Sequence, residues 1–336
     1  MLNHNLGFDD ERNRVIVNLH QHYEVWVQTR RAMAQLPYGM KWKTINGTDY
    51  LYALRDRQGS GTSIGPRNLA TEQTMADFGA NKITLKQREE TSRGAMETSC
   101  RIYQTLRLPL IAPQAAEILR EADRRSLLGS HLIVVGTNAM AAYSLEATMA
   151  FEGVDVTTDD FEMAWVAADR VEMAVVWPML KSVDNTYTVN TERPFQARNS
   201  KAYEFELLCS PSRLAALPRR DQPRPYPLPE QEWLLNGRFI DHVVVARDGS
   251  PARLVVPDPR WFALQKAWLS EQEKRNPAKR PKDARQAQKL LDMVARRMPQ
   301  FPLDEAFEAQ LPAELKLHFA SWRAAYVPSP KASSRW

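Results

Sequence analysis

In Thr157-Thr158-Asp159-Asp160-Phe161-Glu162-Met163, one aromatic residue separates two carboxylates, Asp160 and Glu162. On a strand the pair projects from one face, about 7 Å apart, because side chains alternate with period two. Such a pair is ill suited to a core. It is well suited to one or two divalent cations, which prefer oxygen ligands. Were Asp159 the first member, its partner two residues on would be Phe161, so the spacing favours Asp160. Tyr203-Glu204-Phe205-Glu206-Leu207 alternates again, and either Glu204 or Glu206 can supply a third acid. Upstream, Val135-Gly136-Thr137 joins an apolar run (131–135) to an alanine-rich stretch. A strand-to-helix turn there presents backbone N–H groups and a helix dipole, which favour phosphate.

Several elements must hold these groups in place. A helix is expected over 9–36, stopped by Pro37. Two β runs, 41–45 and 48–55, flank Asn46-Gly47, the strongest short hairpin signal. RQGSGTSIGPR (57–67) reads as a loop, and it resembles a phosphate cradle only weakly, because no Gly-Lys-Ser/Thr follows. A polar helical stretch continues to about residue 106. Further helices are expected over 114–128, 139–147 and 170–180. Strands are expected over 131–135, 154–156, 161–166, 187–190 and 202–208. After a proline-rich connection come a hairpin around Asp248-Gly249 and helices over 259–270 and 283–297. The expected domains are a helical and hairpin region (1–108), a core domain (109–210), a hairpin and helical domain (211–327) and a disordered tail (328–336).

Net charge is +5 but uneven. Residues 210–336 hold 22 Lys+Arg against 14 Asp+Glu, giving +8, and residues 101–209 hold 10 against 15, giving −5. An acidic middle beside a basic third suggests a cation site next to a surface for a polyanion. Two cysteines argue against a disulfide framework and fit a reducing cytoplasm. No apolar stretch approaches the roughly 20 residues of a membrane span. The first twelve residues lack the pattern of a secretory signal.

The pieces resemble the nucleotidyltransferase (DNA polymerase β-like) superfamily. Its signature is an apolar residue and Gly-Gly/Ser at a helix start, then Asp-apolar-Asp/Glu-apolar, then an acid on a later strand. The matching residues are Val135-Gly136-Thr137, Asp160-Phe161-Glu162-Met163 and Glu206. More narrowly, the chain resembles a bacterial nucleotidyltransferase-like family through GTSIGPR, VGTNAMAAY, TTDDFE and a C-terminal part with Lys266 and Lys282-Asp283. A likeness to the nucleotidyltransferase toxins of abortive-infection systems is looser. Thr137 stands where Gly or Ser is usual, and the third acid is Glu where Asp is common.

The resemblance implies an α/β (α+β) nucleotidyltransferase fold with a small mixed sheet, flanked by the N-terminal region and a mostly helical C-terminal domain. It implies transfer of a nucleotidyl group from NTP to an unidentified acceptor, with RNA among the candidates. Asp160, Glu162 and Glu206 would hold Mg²⁺ or Mn²⁺, and Gly136, Thr137 and Lys266 would hold the nucleotide. The alternative is a catalytically weak module that binds nucleotide, RNA or a protein partner. Lys266 is either a phosphate ligand or a solvated lysine on the flank of its helix. Asp283 is either a helix N-cap or a functional residue. The basic run 274–282 is either a solvated loop or a phosphate contact. Histidines are scattered without metal-ligand spacing. Oligomeric state is not legible.

Overall fold

The computed structural model describes residues 7–151 and 160–327 of the 336. The expected strand over 154–156, Asp159 and the tail after 327 lie outside the described residues. The chain forms two compact units, one of residues 17–101 and one of 1–16 with 102–336.

In the smaller unit, α1 (Asp10–Gln35) and α2 (Leu69–Thr105) supply the helical part. Leu19, Tyr23, Trp26 and Met96 are buried, and His22 Nδ1 and Ser99 Oγ lie 2.9 Å apart. Between the helices run β1 (Gly39–Ile45), β2 (Thr48–Leu54) and β3 (Gly61–Pro66), an antiparallel sheet in chain order. Asn46 and Gly47 both have positive φ, the geometry that suits a two-residue hairpin turn. GTSIGPR is therefore not a loop: most of it is strand β3. Its first glycine, Gly61, reflects close backbone approach. A Cβ on Gly61 would lie 2.2 Å from the Ala53 carbonyl oxygen.

The larger unit has two sheets. In chain order its elements are β4 (Leu110–Ile111), α3 (Pro113–Arg124), β5 (Leu132–Val134), α4 (Met140–Glu146), β6 (Asp160–Trp165), α5 (Val176–Val183), β7 (Thr188–Val189), β8 (Gln196–Arg198), β9 (Glu204–Cys209) and β10 (Tyr226–Pro227). Then come β11 (Ile240–Ala246), β12 (Pro251–Val256), α6 (Pro259–Glu271), α7 (Arg280–Arg297), α8 (Glu305–Gln310) and α9 (Ala313–Ala325). The central sheet is mixed, in the order β5-β6-β9-β8-β7, with β10 also on β9. The second sheet is β12-β11-β4. The chain is thus the mixed α/β fold with small mixed sheets and a helical C-terminal part that the sequence implied.

The expected boundary at residue 210 falls inside this unit. β11 pairs in parallel with β4, and Tyr143 of α4 donates to the Pro257 carbonyl at 3.0 Å. The helix expected over 170–180 is shorter and later. The carboxylate of Asp221 accepts from the N–H groups of Val175, Val176 and Trp177 at 2.7–2.9 Å, which fixes where α5 begins. A distant acid sets that start, so the local sequence could not show it.

Candidate functional site

β6 and β9 run in parallel with Asp160 beside Glu204, Phe161 beside Phe205 and Glu162 beside Glu206. Phe161, Met163 and Phe205 are fully buried and Leu207 nearly so, while the four acids are half-buried on the other face. Two alternating strands in register thus place like charges about 5 Å apart across the strands and about 7 Å apart along them.

On the other side of β6 runs β5, antiparallel, with Val134 opposite Met163 and the Val135 N–H donating to the Glu162 carbonyl at 3.1 Å. The chain then turns at Gly136, with φ of 71°, into a single 3₁₀ turn (Thr137–Ala139) and α4. A Cβ on Gly136 would lie 1.6 Å from Glu162 Oε2. Gly136 is therefore favoured by its φ, and the Glu162 carboxylate occupies the space that a Cβ would take. Asn138 Nδ2 donates to the Asp160 carbonyl at 3.2 Å. Thr137 is buried, and its hydroxyl accepts from Gln286 Nε2 of α7 at 3.5 Å.

Each acid has its own environment. Asp160 Oδ2 accepts from Lys279 Nζ at 3.0 Å. Burial opposes the Lys279 charge, but Asp160 and then Glu162 outweigh it and hold its pKa above the ordinary lysine value. Glu206 accepts from Gln196 Nε2, whose Oε1 accepts from Asn190 at 3.2 Å. Burial, then the charges of Glu162 and Asp160, raise the Glu206 pKa above the usual carboxylate range against the Gln196 hydrogen bond. Glu204 is ion-paired to Arg198. Glu206, not Glu204, lines the cleft with Glu162.

That cleft holds about 420 Å³. Val135, Gly136, Glu162 and Glu206 line one part of it, Arg193, Phe195 and Tyr226 another, and Lys266, Lys274 and Arg275 a third. A smaller hollow beside it touches Thr137, Asp160, Glu162, Lys279 and Lys282.

Lys266 reaches the cleft but is not a solvated lysine, being 4% exposed. Its Nζ donates to Asp283 Oδ1 at 2.8 Å, and Arg275 Nε donates to Asp283 Oδ2 at 2.8 Å. Burial pushes the Asp283 pKa up, and Lys266 and Arg275 together bring it below the ordinary value. Asp283 is not a cap: α7 begins at Arg280, and Asp283 sits buried in its first turn. Lys279, Arg275, Gln196 and Gln286 were not individual candidates. The basic run pointed toward the first two, but nothing local marked the glutamines.

The donors fit a hard divalent cation, since all three are carboxylates on one face. They do not yet converge: among the described residues, no group of three or more His, Cys, Asp or Glu is gathered as for a metal. Lys279 and Gln196 each engage one of the acids.

The family model described as nucleotidyltransferase matches residues 114–312. No curated protein and no solved structure matches the chain.

Three outcomes follow from this geometry. Gly136→Ala should destabilise the fold by about 1–3 kcal/mol. Adding Glu162→Ala should recover the steric part and leave the φ cost; urea unfolding of both variants measures this, and equal stabilities would refute the contact. Lys266→Ala should cost on the order of 3 kcal/mol, because it leaves a buried carboxylate short of a cation. Lys266→Met with Asp283→Leu should recover much of that loss. Glu206 binds its proton more tightly folded than unfolded, so its ionisation costs stability as pH rises from the ordinary glutamate value through the raised one. The melting temperature of Glu206→Gln should therefore match wild type at low pH and exceed it near neutrality; equal melting at every pH would contradict the raised pKa.

Proposed function

The chain belongs to the nucleotidyltransferase family, and we propose that it transfers a nucleotidyl group from a nucleoside triphosphate to an acceptor hydroxyl, aided by Mg²⁺ or Mn²⁺. The observation that carries this reading is the register of β6 on β9. It sets Asp160, Glu162 and Glu206 on one face, against the turn at Gly136 and beside a cleft with a basic wall.

In this reading Asp160 and Glu162 hold the cation, with Glu206 completing the set. Bound there, a divalent cation supplies charge stabilisation to the attacking and leaving oxygens. The acceptor oxygen bonds to the α-phosphorus as the bond to the bridging oxygen breaks, and pyrophosphate leaves. The acceptor proton passes to a carboxylate. Glu206 would take that role from its place on the wall of the cleft. The backbone at Gly136 and Thr137 faces the phosphates. Lys266 and Arg275 share the single carboxylate of Asp283, so the triad keeps one positive charge for the same purpose.

One observation favours a second reading, a module that binds nucleotide without turnover. Asp160 is ion-paired to Lys279, and Glu206 is held by Gln196. The acceptor in the first reading is a hydroxyl of an RNA end, a protein or a small molecule. No helix among the described residues is long and apolar enough to cross a membrane.

Incubation with each α-labelled NTP, Mg²⁺ or Mn²⁺ and cell extract should label one species, and Asp160→Ala with Glu162→Ala should abolish the label. An NTP should also raise the melting temperature in the presence of metal, since it binds the folded state alone. A shift without any labelled product would establish the module. Neither shift nor label, with any NTP, would sink both readings.

A further inference from the structure

We infer that the outer face of the sheet β1–β3 is a binding platform for single-stranded nucleic acid. The inference concerns the smaller unit alone and does not rest on the transfer reaction.

Strand β2 is central in that sheet, and its side chains alternate. Leu51 is fully buried, in register with Trp42 on β1 and Gly65 on β3. A Cβ on Gly65 would contact Thr71 of α2 at 3.7 Å, so the Leu51 face is the one turned to the helix. Tyr50 and Tyr52 occupy the alternate positions and are half-buried. They face away from α2, with Lys43 in register beside Tyr50 and Lys41 beside Tyr52. On the far side their register partners are Pro66 and Ser63, with Ile64 bulged out of the pairing between them.

Two rings two residues apart on one strand stand about 7 Å apart. That separation suits consecutive unstacked bases of an extended strand. Base–aromatic stacking tolerates any sequence because every base has a π-face. The lysines supply the phosphate charge. Lys43 Nζ lies 4.4 Å from the centre of the Tyr52 ring while donating to the Gly59 carbonyl at 3.1 Å. A cation thus rests where a base would stack, and a base taking its place frees Lys43 for phosphate.

Charge complementarity selects a polyanion. The register puts Lys41 and Lys43 on the tyrosine face, and the whole segment from Gly39 to Arg67 holds five Lys+Arg (Lys41, Lys43, Arg55, Arg57 and Arg67) and two acids, Asp49 and Asp56, giving +3. Asp49 lies off the tyrosine face, and the turn that Asp56 closes meets that face at Gly59, against Lys41 and Lys43. Asp49 points to the Leu51 side, where it meets Arg67 and accepts from Thr44. Asp56 closes the following turn onto the Ser60 N–H. Stacking on flat rings requires unpaired bases, which selects single strands over duplex.

The test is fluorescence anisotropy of the full-length protein with labelled oligouridine and oligoadenosine, a duplex of matched length and an acidic peptide, at two salt concentrations. Single strands should bind at least about tenfold more tightly than duplex. Tyr50→Ala and Tyr52→Ala should each weaken binding by roughly tenfold, while the corresponding Phe variants keep it. Lys41→Gln with Lys43→Gln should flatten the salt dependence by about 0.7 in log–log slope per lost phosphate contact. The lysine variants carry the test if an alanine variant fails to fold. Four results would overturn the platform: no binding of single strands, equal binding of duplex, tighter binding of the acidic peptide, or binding unchanged in the tyrosine and lysine variants. In the last case the nucleic acid sits on another surface.

Discussion

Repulsion among the carboxylates of β6 and β9 is the constraint around which the rest of the larger unit is arranged. The register cannot relax it. Slipping β6 by one residue would turn Phe161 and Met163 to the outer face, and slipping β9 would turn Phe205 and Leu207, burying that strand's acids. Packing on one face therefore fixes charge on the other. The protein answers locally with a different device for each acid. Asp160 takes an ammonium, Glu206 takes an amide and a raised proton affinity, and Glu204 takes a guanidinium. Glu162 lies against the one residue that leaves room for it, Gly136.

The cations come from residues distant in sequence. The acidic middle and the basic C-terminal third fold into one compact unit. α6 and the connection that follows it bring Lys266 and Arg275 to the cleft that Glu162 and Glu206 line, and Asp283 of α7 pairs with both. Burying Asp283 is tolerable because two cations flank it. The same triad holds α6 against the start of α7, with Thr137 touching Gln286 beyond it. Stability and charge placement are thus carried by the same contacts, so a substitution at Lys266 acts on both.

Elements governed by local rules were legible in the sequence. The hairpin at Asn46-Gly47, the alternation of β6 and β9 and the glycine turn all follow from side chains within a few residues. Elements set by remote partners were not. Asp221 decides where α5 starts, β8 forms because it can pair with β7 and β9, and β3 reads as a loop until Gly61 is seen as close approach to β2. In the candidate site the acids were readable by their period. Gln196 and Gln286 carry no charge pattern, and only the folded chain reveals their partners. Lys266 came from the family resemblance, its helix position leaving it equally a solvated flank residue, and its burial required knowing that Asp283 and Arg275 meet it.

The position of Lys279 bears on how the proposed site would work. It lies just before α7 on a long, partly solvated side chain, and it meets the acid that begins the motif. A divalent cation on Asp160 and Glu162 would compete with that ammonium for the same oxygens. Since the lysine carries one charge and the metal two, the exchange would leave the acids better neutralised. The displaced ammonium would remain within a side chain's length of the cleft, where the incoming phosphates need positive charge. Lys279 would then change partners as the ligand enters, moving from carboxylate to phosphate. That exchange would let the empty site carry its like charges without unfolding and the filled site keep every cation in use. It also gives a physical reason for a lysine at this point of the chain, where an immobile arginine fork would hold the acid more tightly and yield it less readily.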